Sequence, residues 1–247
     1  MPLPKLPGQV ISMRDAAGVA RHAATRLAKC LRDAIAKRGQ ASLALSGGNT
    51  PRPAYEQLAT EPGIDWSKVS IYWIDERAVP PDHARSNYRL AHESLLSRAP
   101  IPEAQVHRMV GEAPDLEQAA KDYEAVLAEH LPKVKGVPVI DVAVLGVGDD
   151  GHTASLFPGE QTVLERHRHV LAIPASKEHE REARLTVTAP VIEQIRTVLV
   201  LATGAGKRGP LEHIASDKGS LVATPSRLLC GVDGSLLWII DEAALGS

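Results

Sequence analysis

Only two cysteines, Cys30 and Cys230, occur among 247 residues; they match no metal-ligand spacing and are expected to be reduced core residues of an intracellular protein. An excess of one charge is missing too, since 28 Lys and Arg against 30 Asp and Glu leave a formal net charge of -2. With the basic residues dispersed, nucleic acid is excluded as the main partner, while a small anion needs only a few convergent cations. No apolar run approaches the ~20 residues that span a bilayer, and the opening MPLPKLPGQV has neither the apolar stretch nor the cleavage pattern of a secretory leader. A cytoplasmic protein without a membrane partner is expected. Repeats, low-complexity segments and linker-like shifts of composition are absent, so the 44% hydrophobic content predicts one domain over residues 1–247 around one large core.

What is present is an alternation of helical and extended patterns. Over residues 12–38, Ala20, Ala24, Leu27, Leu31 and Ile35 recur at helical spacing, with Ser12 expected to cap the start and Gly39 to stop the helix. Residues 41–45 read as a compact buried strand, broken by Ser46-Gly47-Gly48, after which Thr50-Pro51 opens a helix carrying Tyr55 and Leu58. A strand over 69–74 ends at Asp75-Glu76-Arg77, and a helix begins near Ser86. Asp115 with Gln118 predicts a capping box for the helix that carries Leu116, Ala119, Tyr123, Leu127 and Leu131 up to Pro132. Further strands are expected at 141–145, 169–173, 185–188, 198–202 and 236–240, and helices near Val191 and Leu211. Such alternation predicts an α/β fold with parallel crossovers and a sheet covered on both faces. Ligands then bind at the carboxyl ends of the strands.

Chemistry concentrates at those ends. The segment GVGDDGHTASLFPG, residues 146–159, follows an apolar run and sets Asp149, Asp150 and His152 on a glycine-rich turn. It satisfies the dinucleotide pattern G-x-G-x-x-G, yet the next strand ends in Ile173-Pro174-Ala175-Ser176 with no carboxylate to hold a ribose, so a dinucleotide is rejected. Two adjacent aspartates repel a pyrophosphate but are suited to orient or charge-stabilise an imidazole. His152 is therefore the candidate general base, the alternative being a histidine that caps or packs at a helix start. The loop Ser46-Gly47-Gly48-Asn49-Thr50 reads equally as a phosphate cradle or as a turn capping a helix. Arg77, Arg184 and Lys207 lie at strand boundaries, each read singly as a surface charge and jointly as a clamp on one anionic sugar. His167 and His169 lack a third ligand at metal spacing and are read as solvated.

Taken together, LSGGNTP, WIDERAVP with SNYRL, and GVGDDGHTASLFP resemble the 6-phosphogluconolactonase family, with weaker similarity through ARLTVTAPVI, the turn reaching Lys207 and GSLLWIIDEAA. The resemblance covers nearly the whole chain. It implies a three-layer Rossmann-like α/β domain with a mainly parallel sheet, as in sugar-phosphate isomerases and deaminases, acting without metal or organic cofactor; a monomer or small homo-oligomer is expected, with the sequence fixing neither. It further implies hydrolysis of 6-phospho-D-glucono-1,5-lactone in the pentose phosphate pathway. On this resemblance His152 activates water and Asp150 steers it, Ser46, Gly47, Gly48, Asn49 and Thr50 form the phosphate-side loop, and Arg77, Arg184 and Lys207 hold the phosphate or the lactone oxygens. The chain departs from the family at residues 176–183, rich in charge and without the usual prolines, and at Gly206-Lys207-Arg208-Gly209.

Two rivals follow from the same residues. A sugar-phosphate isomerase or deaminase of this architecture shares SGG and DGH, but deaminases carry tyrosine after Asp-Glu, where this chain has Arg77, and a different continuation from ASLFP. A non-catalytic sugar-phosphate sensor requires an output module, and no basic helix-turn-helix segment precedes Ser12.

Overall fold

The computed structural model describes residues 6–177, 181–216 and 218–246. Along the chain come β1 (Gln9–Met13), α1 (Ala16–Arg38), β2 (Ala41–Leu45), α2 (Arg52–Leu58), β3 (Val69–Trp73), β4 (Asp75–Arg77), α3 (Asn87–Ala91) and α4 (Leu116–His130). A small hairpin of β5 (Lys133–Val134) and β6 (Val137–Pro138) leads into β7 (Val142–Gly146), β8 (Val170–Ile173), β9 (Arg184–Val187) and α5 (Ala189–Glu193). Last come β10 (Thr197–Ala202), α6 (Arg208–Ala215), β11 (Ser235–Asp241) and α7 (Glu242–Leu245).

Six strands form a parallel sheet in the order β1-β11-β10-β7-β2-β3. Successive residues of β2, β7 and β10 are buried rather than alternating with exposed ones. Both faces of the sheet centre are therefore covered, which is why these strands read as unbroken apolar runs. α1 lies against β2, β7, β10 and β11 and packs on α2, burying Val19, Ala23, Leu27 and Leu31 at helical spacing.

Several local expectations change in the fold. Ser12 is not the cap of α1: it lies in β1, paired with Ile240 of β11, while Asp15 caps the helix by accepting from the Gly18 amide at 2.7 Å. Pairing with β11 claims the segment that helical periodicity alone would extend. Gly39 ends α1 as expected, at φ 79°, a left-handed conformation that suits glycine. Asp115 caps α4 through the Gln118 amide at 3.0 Å, but the Gln118 side chain turns to Asp122 at 2.8 Å, so only half of the expected capping box forms. Cys30 is half-buried against the core, whereas Cys230 is exposed and not a core residue; both are free thiols.

The larger departure concerns β8 and β9, which do not join the parallel sheet. They form an antiparallel sheet with β4 in the order β4-β9-β8, and α4 packs on β8 and β9. Asp75-Glu76-Arg77 is thus a strand in its own right rather than the end of β3. At Ile74 the chain passes from one sheet to the other, and its carbonyl accepts from the Val187 amide at 2.9 Å. Glu76 anchors the step that follows. Its carboxylate accepts from the amides of Asn87 and Tyr88, at 2.8 and 2.7 Å, and so caps α3 together with Ser86.

Strand order fixes where a ligand fits. Within the parallel sheet the order runs from β2 to β3 on one side, and from β7 to β10 and β11 on the other. The loops after β2 and β7 consequently diverge and leave a crevice at their carboxyl ends.

Candidate active site

A cleft of about 470 Å³ opens at that crevice. On its β2 side, Ser46 is held by three contacts: its hydroxyl donates to the Val144 carbonyl at 2.7 Å, its amide donates to the Tyr55 hydroxyl at 3.1 Å, and that hydroxyl donates to the Ser46 carbonyl at 3.0 Å. Burial pushes the Tyr55 hydroxyl well above its ordinary pKa, so it stays a neutral brace. Gly47 passes so close to Asn87 that a Cβ there would lie 1.7 Å from the Asn87 Oδ1. α2 is only seven residues long and Pro51 gives it no side-chain cap, so the lining of the cleft is supplied by the loop Ser46-Gly47-Gly48-Asn49-Thr50 rather than by a long helix dipole.

On the β7 side the glycine turn folds the imidazole back over itself. The Gly148 amide donates to the His152 carbonyl at 2.8 Å and the Gly151 amide to the Gly148 carbonyl at 3.0 Å, with Gly151 at φ 88°. A Cβ on Gly148 would fall 2.2 Å from the His152 Nδ1, so only glycine admits the ring. The His152 Nδ1 lies 2.6 Å from the Asp150 Oδ1, which also accepts from the His152 amide at 3.0 Å. Burial opposes the ionised form of Asp150, but the hydrogen bonds from the His152 ring and amide outweigh it and bring its pKa down to about 2. No helix starts at His152: an isolated bridge between Thr153 and Leu156 closes a tight turn instead, which disposes of the helix-capping alternative. Asp149 points elsewhere and accepts from the Lys207 Nζ at 2.7 Å. The two aspartates thus separate into one that holds the imidazole and one that holds the lysine.

The antiparallel sheet supplies the cations. In its register Arg77 lies directly opposite Arg184, a like-charge arrangement that costs energy and that the nearby carboxylates of Glu182 and Asp75 offset in part. The Nε atoms of both are buried without a hydrogen-bond partner among the described residues. Burial, followed by the charge of Arg77, holds the Arg184 guanidinium below the ordinary arginine range. Arg77 is fixed by donating to the Arg85 carbonyl at 2.5 Å.

Of the ten residues singled out from the sequence, His152, Ser46, Gly47, Gly48, Asn49, Thr50, Arg77, Arg184 and Lys207 all line this cleft. Asp150 stands behind His152 and faces an adjoining hollow with Phe157, Pro158, Arg181, Glu182 and Arg184. Asp75, which the sequence placed at a strand end with Glu76 and Arg77 but did not assign to the site, and Asn87 and Phe157, which it did not single out, also line the cleft. All three lie inside the quoted motifs, and the buried Asp75 accepts from the Ser155 hydroxyl at 2.7 Å. Of the charge-rich segment 176–183, residues 178–180 lie outside the described residues. His167 is exposed as expected; His169 is half-buried rather than solvated, its amide on Glu124 at 2.5 Å. The dinucleotide reading is disfavoured in space as well, since the strand after the glycine turn is β8, outside the parallel sheet.

A switch-point cleft with an imidazole–carboxylate pair facing two opposed arginines defines an α/β enzyme that handles a small anionic substrate. Residues 14–238 match the family described as glucosamine-6-phosphate isomerases/6-phosphogluconolactonase, and the chain belongs to that family. It is 41% identical over 221 residues to a 6-phosphogluconolactonase of Synechocystis sp., covering 89% of this chain and 88% of that one. The structure of 6-phosphogluconolactonase from Trypanosoma cruzi superposes with a TM-score of 0.86 at 31% identity, covering 99% of this chain and 98% of the other. A monomeric glucosamine-6-phosphate deaminase superposes with a TM-score of 0.80 at 20% identity, covering 96% and 99%, a likeness of fold alone.

Proposed function

We propose that this chain, as a single cytoplasmic domain, hydrolyses 6-phospho-D-glucono-1,5-lactone to 6-phospho-D-gluconate in the pentose phosphate pathway, with water activated by His152. The carrying observation is the Asp150–His152 contact of 2.6 Å at the wall of a cleft that Arg77 and Arg184 also line. Asp150 accepts from the Nδ1 proton and leaves Nε2 free to take a proton from water. The water oxygen bonds to the lactone carbonyl carbon, and the carbonyl electron pair moves onto its oxygen. A neighbouring cation, Lys207 or one of the two arginines, stabilises that charge. Collapse of the tetrahedral species breaks the bond to the ring oxygen, which takes the proton back from the imidazolium. The remaining cations and the loop from Ser46 to Thr50 grip the phosphate, so binding remote from the carbonyl orients the ester.

The test is acid release from freshly generated lactone in a pH-stat, corrected for spontaneous hydrolysis, with wild type against His152→Ala. Acceleration by the wild type that His152→Ala lacks supports the reading; equal rates overturn His152 as the base. Ammonia release from glucosamine 6-phosphate without acid release from the lactone favours the deaminase reading, against which stand Arg77 after Asp75-Glu76 and the continuation Ala154-Ser155-Leu156-Phe157-Pro158.

A further inference from the structure

The chain has a single phenylalanine, and aromatic residues make up 3% of it. That one ring is spent at the cleft. Phe157 tilts against the His152 imidazole at 5.0 Å between centroids, and on it lies the guanidinium of Arg181, 3.8 Å from the ring centroid. Arg181 is itself fixed. Its side chain is 7% exposed, its Nη2 donates to Glu160 at 2.6 Å, and its backbone exchanges two hydrogen bonds of 2.8 Å with Ser176 across the β8–β9 connection. Phe157 is brought back to the histidine by the turn closed between Thr153 and Leu156, in which Ala154 takes the left-handed conformation at φ 53°. A non-glycine side chain held there is strained, and such strain persists where surrounding contacts over-determine it. The Ser155 hydroxyl on Asp75 at 2.7 Å pins the same turn from the other side.

Asp150 fixes the edge of the imidazole at Nδ1 but leaves the plane of the ring free to rock about that hydrogen bond. A second contact on the ring is needed to stop it, and Phe157 is the aromatic neighbour that touches it. A phenylalanine ring on a tight turn holds its own orientation only if something holds it in turn; a nearly buried, ion-paired guanidinium over its face does so by cation–π attraction. We propose that Arg181 is a positioning residue for the lactonase reaction, acting through Phe157 to hold the His152 ring in its productive plane. This inference rests on the lactonase reading for its kinetic consequence, but not for its structural one. Arg181 lies in the adjoining hollow, which shares His152, Phe157 and Arg184 with the main cleft, but it does not line that cleft itself and its Nη2 is committed to Glu160, so it is not expected to grip the substrate.

The experiment compares wild type, Arg181→Ala, Phe157→Leu and the double variant, each shown to be folded by its thermal melt. Two quantities are read: kcat and KM on the lactone, and the rate at which diethyl pyrocarbonate modifies His152, followed by peptide mass spectrometry. Displacement of a reacting group by a fraction of an ångström to 1 Å costs ~10- to ~100-fold. Arg181→Ala is therefore expected to lower kcat within that range with KM within twofold, and the double variant is expected to be no slower than Phe157→Leu. Modification of His152 is expected to accelerate severalfold in all three. Arg181→Lys keeps the charge and the reach to Glu160 but not the plane; it is expected to recover less than half of the lost rate, and it stands in for Arg181→Ala if that variant does not fold. The proposal is overturned by a loss confined to KM, by losses that multiply in the double variant, by full recovery with lysine, or by an unchanged modification rate. If the wild type does not hydrolyse the lactone but His152 modification still accelerates in the variants, the lactonase reading fails and the stack stands.

Discussion

At the scale of single residues, Asp149 and Asp150 are adjacent in sequence and identical in chemistry, yet they divide between a lysine and an imidazole. The difference lies in backbone direction: the turn through Gly148 and Gly151 aims one carboxylate at the ring and leaves the other at the cleft mouth. Replacing Asp150 by Asn removes the negative charge and puts an amide that donates as well as accepts where an acceptor-only carboxylate selects the Nδ1-protonated tautomer, so kcat is expected to fall by about 10²-fold or more while KM changes little. The pH dependence separates the two groups. Burial works against ionised Asp150, but hydrogen bonds from His152 prevail and set its pKa at about 2. The contribution of ionised Asp150 as a hydrogen-bond acceptor is therefore complete above the ordinary carboxylate range of ~3.9 and is lost only as pH falls through the depressed value. Any acid limb of kcat/KM between pH 5 and 7 belongs to another group and is expected to persist, on a lower plateau, in Asp150→Asn. Loss of that limb in the variant would sink the assignment. The motif made His152 and its acidic neighbours legible; the division of labour between them depends on φ angles that residue identity does not fix.

At the scale of elements, the longer periodic segments and the strands of the parallel sheet were legible because burial on one stripe or on both faces writes itself into the apolar pattern. β4 and the sheet membership of β8 and β9 were not, since a four-residue run such as Val170–Ile173 states that it is extended without naming its partner. That lost information matters, because the β4–β9 register is what sets Arg77 opposite Arg184. Arg77→Ala is expected to raise KM and to change Tm little in phosphate-free buffer, since relief of the like-charge pair is offset by loss of the attraction to Glu182 and of the hydrogen bond to the Arg85 carbonyl. Inorganic phosphate is expected to raise Tm of the wild type more than that of the variant. A larger phosphate shift in Arg77→Ala would count against the clamp. The Ser46 loop gives a companion test. Asn87 donates to the Asp75 carbonyl at 2.8 Å and cannot retreat from a Cβ built at Gly47, 1.7 Å from its Oδ1. Gly47→Ala is thus expected to displace the loop, costing ~1–3 kcal/mol of stability and raising KM in steady-state kinetics. Wild-type KM in a folded variant would remove the loop from substrate binding.

At the scale of the whole molecule, alternating strands and helices were visible in the sequence but their spatial order was not, and only the order β1-β11-β10-β7-β2-β3 creates a crevice between β2 and β7. The same pair of strands carries two different pieces of polar chemistry at its two ends. At the carboxyl ends lies the cleft; at the amino ends Asp141, buried, accepts from the Ser42 amide at 2.9 Å and hydroxyl at 3.1 Å and pairs with Arg38 at 2.8 Å and Arg196 at 3.3 Å. Strands of five residues separate the two ends by ~16 Å at ~3.3 Å per residue, beyond the reach of any direct contact. Asp141 ties α1, β2, β7 and the start of β10 together, so Asp141→Ala leaves two guanidinium groups and the Ser42 amide without their acceptor. Because Arg38 and Arg196 both reach solvent, the expected cost is about 3 kcal/mol, the lower end of the range for a broken buried pair. Urea unfolding is expected to show that loss as a lower midpoint with an unchanged slope, whereas kcat and KM measured well below the melting temperature stay at wild-type values. A variant of unchanged stability would mean that the ion cluster does not hold the sheet, and a variant of wild-type fold but altered KM would mean that the floor and the mouth of the sheet are coupled.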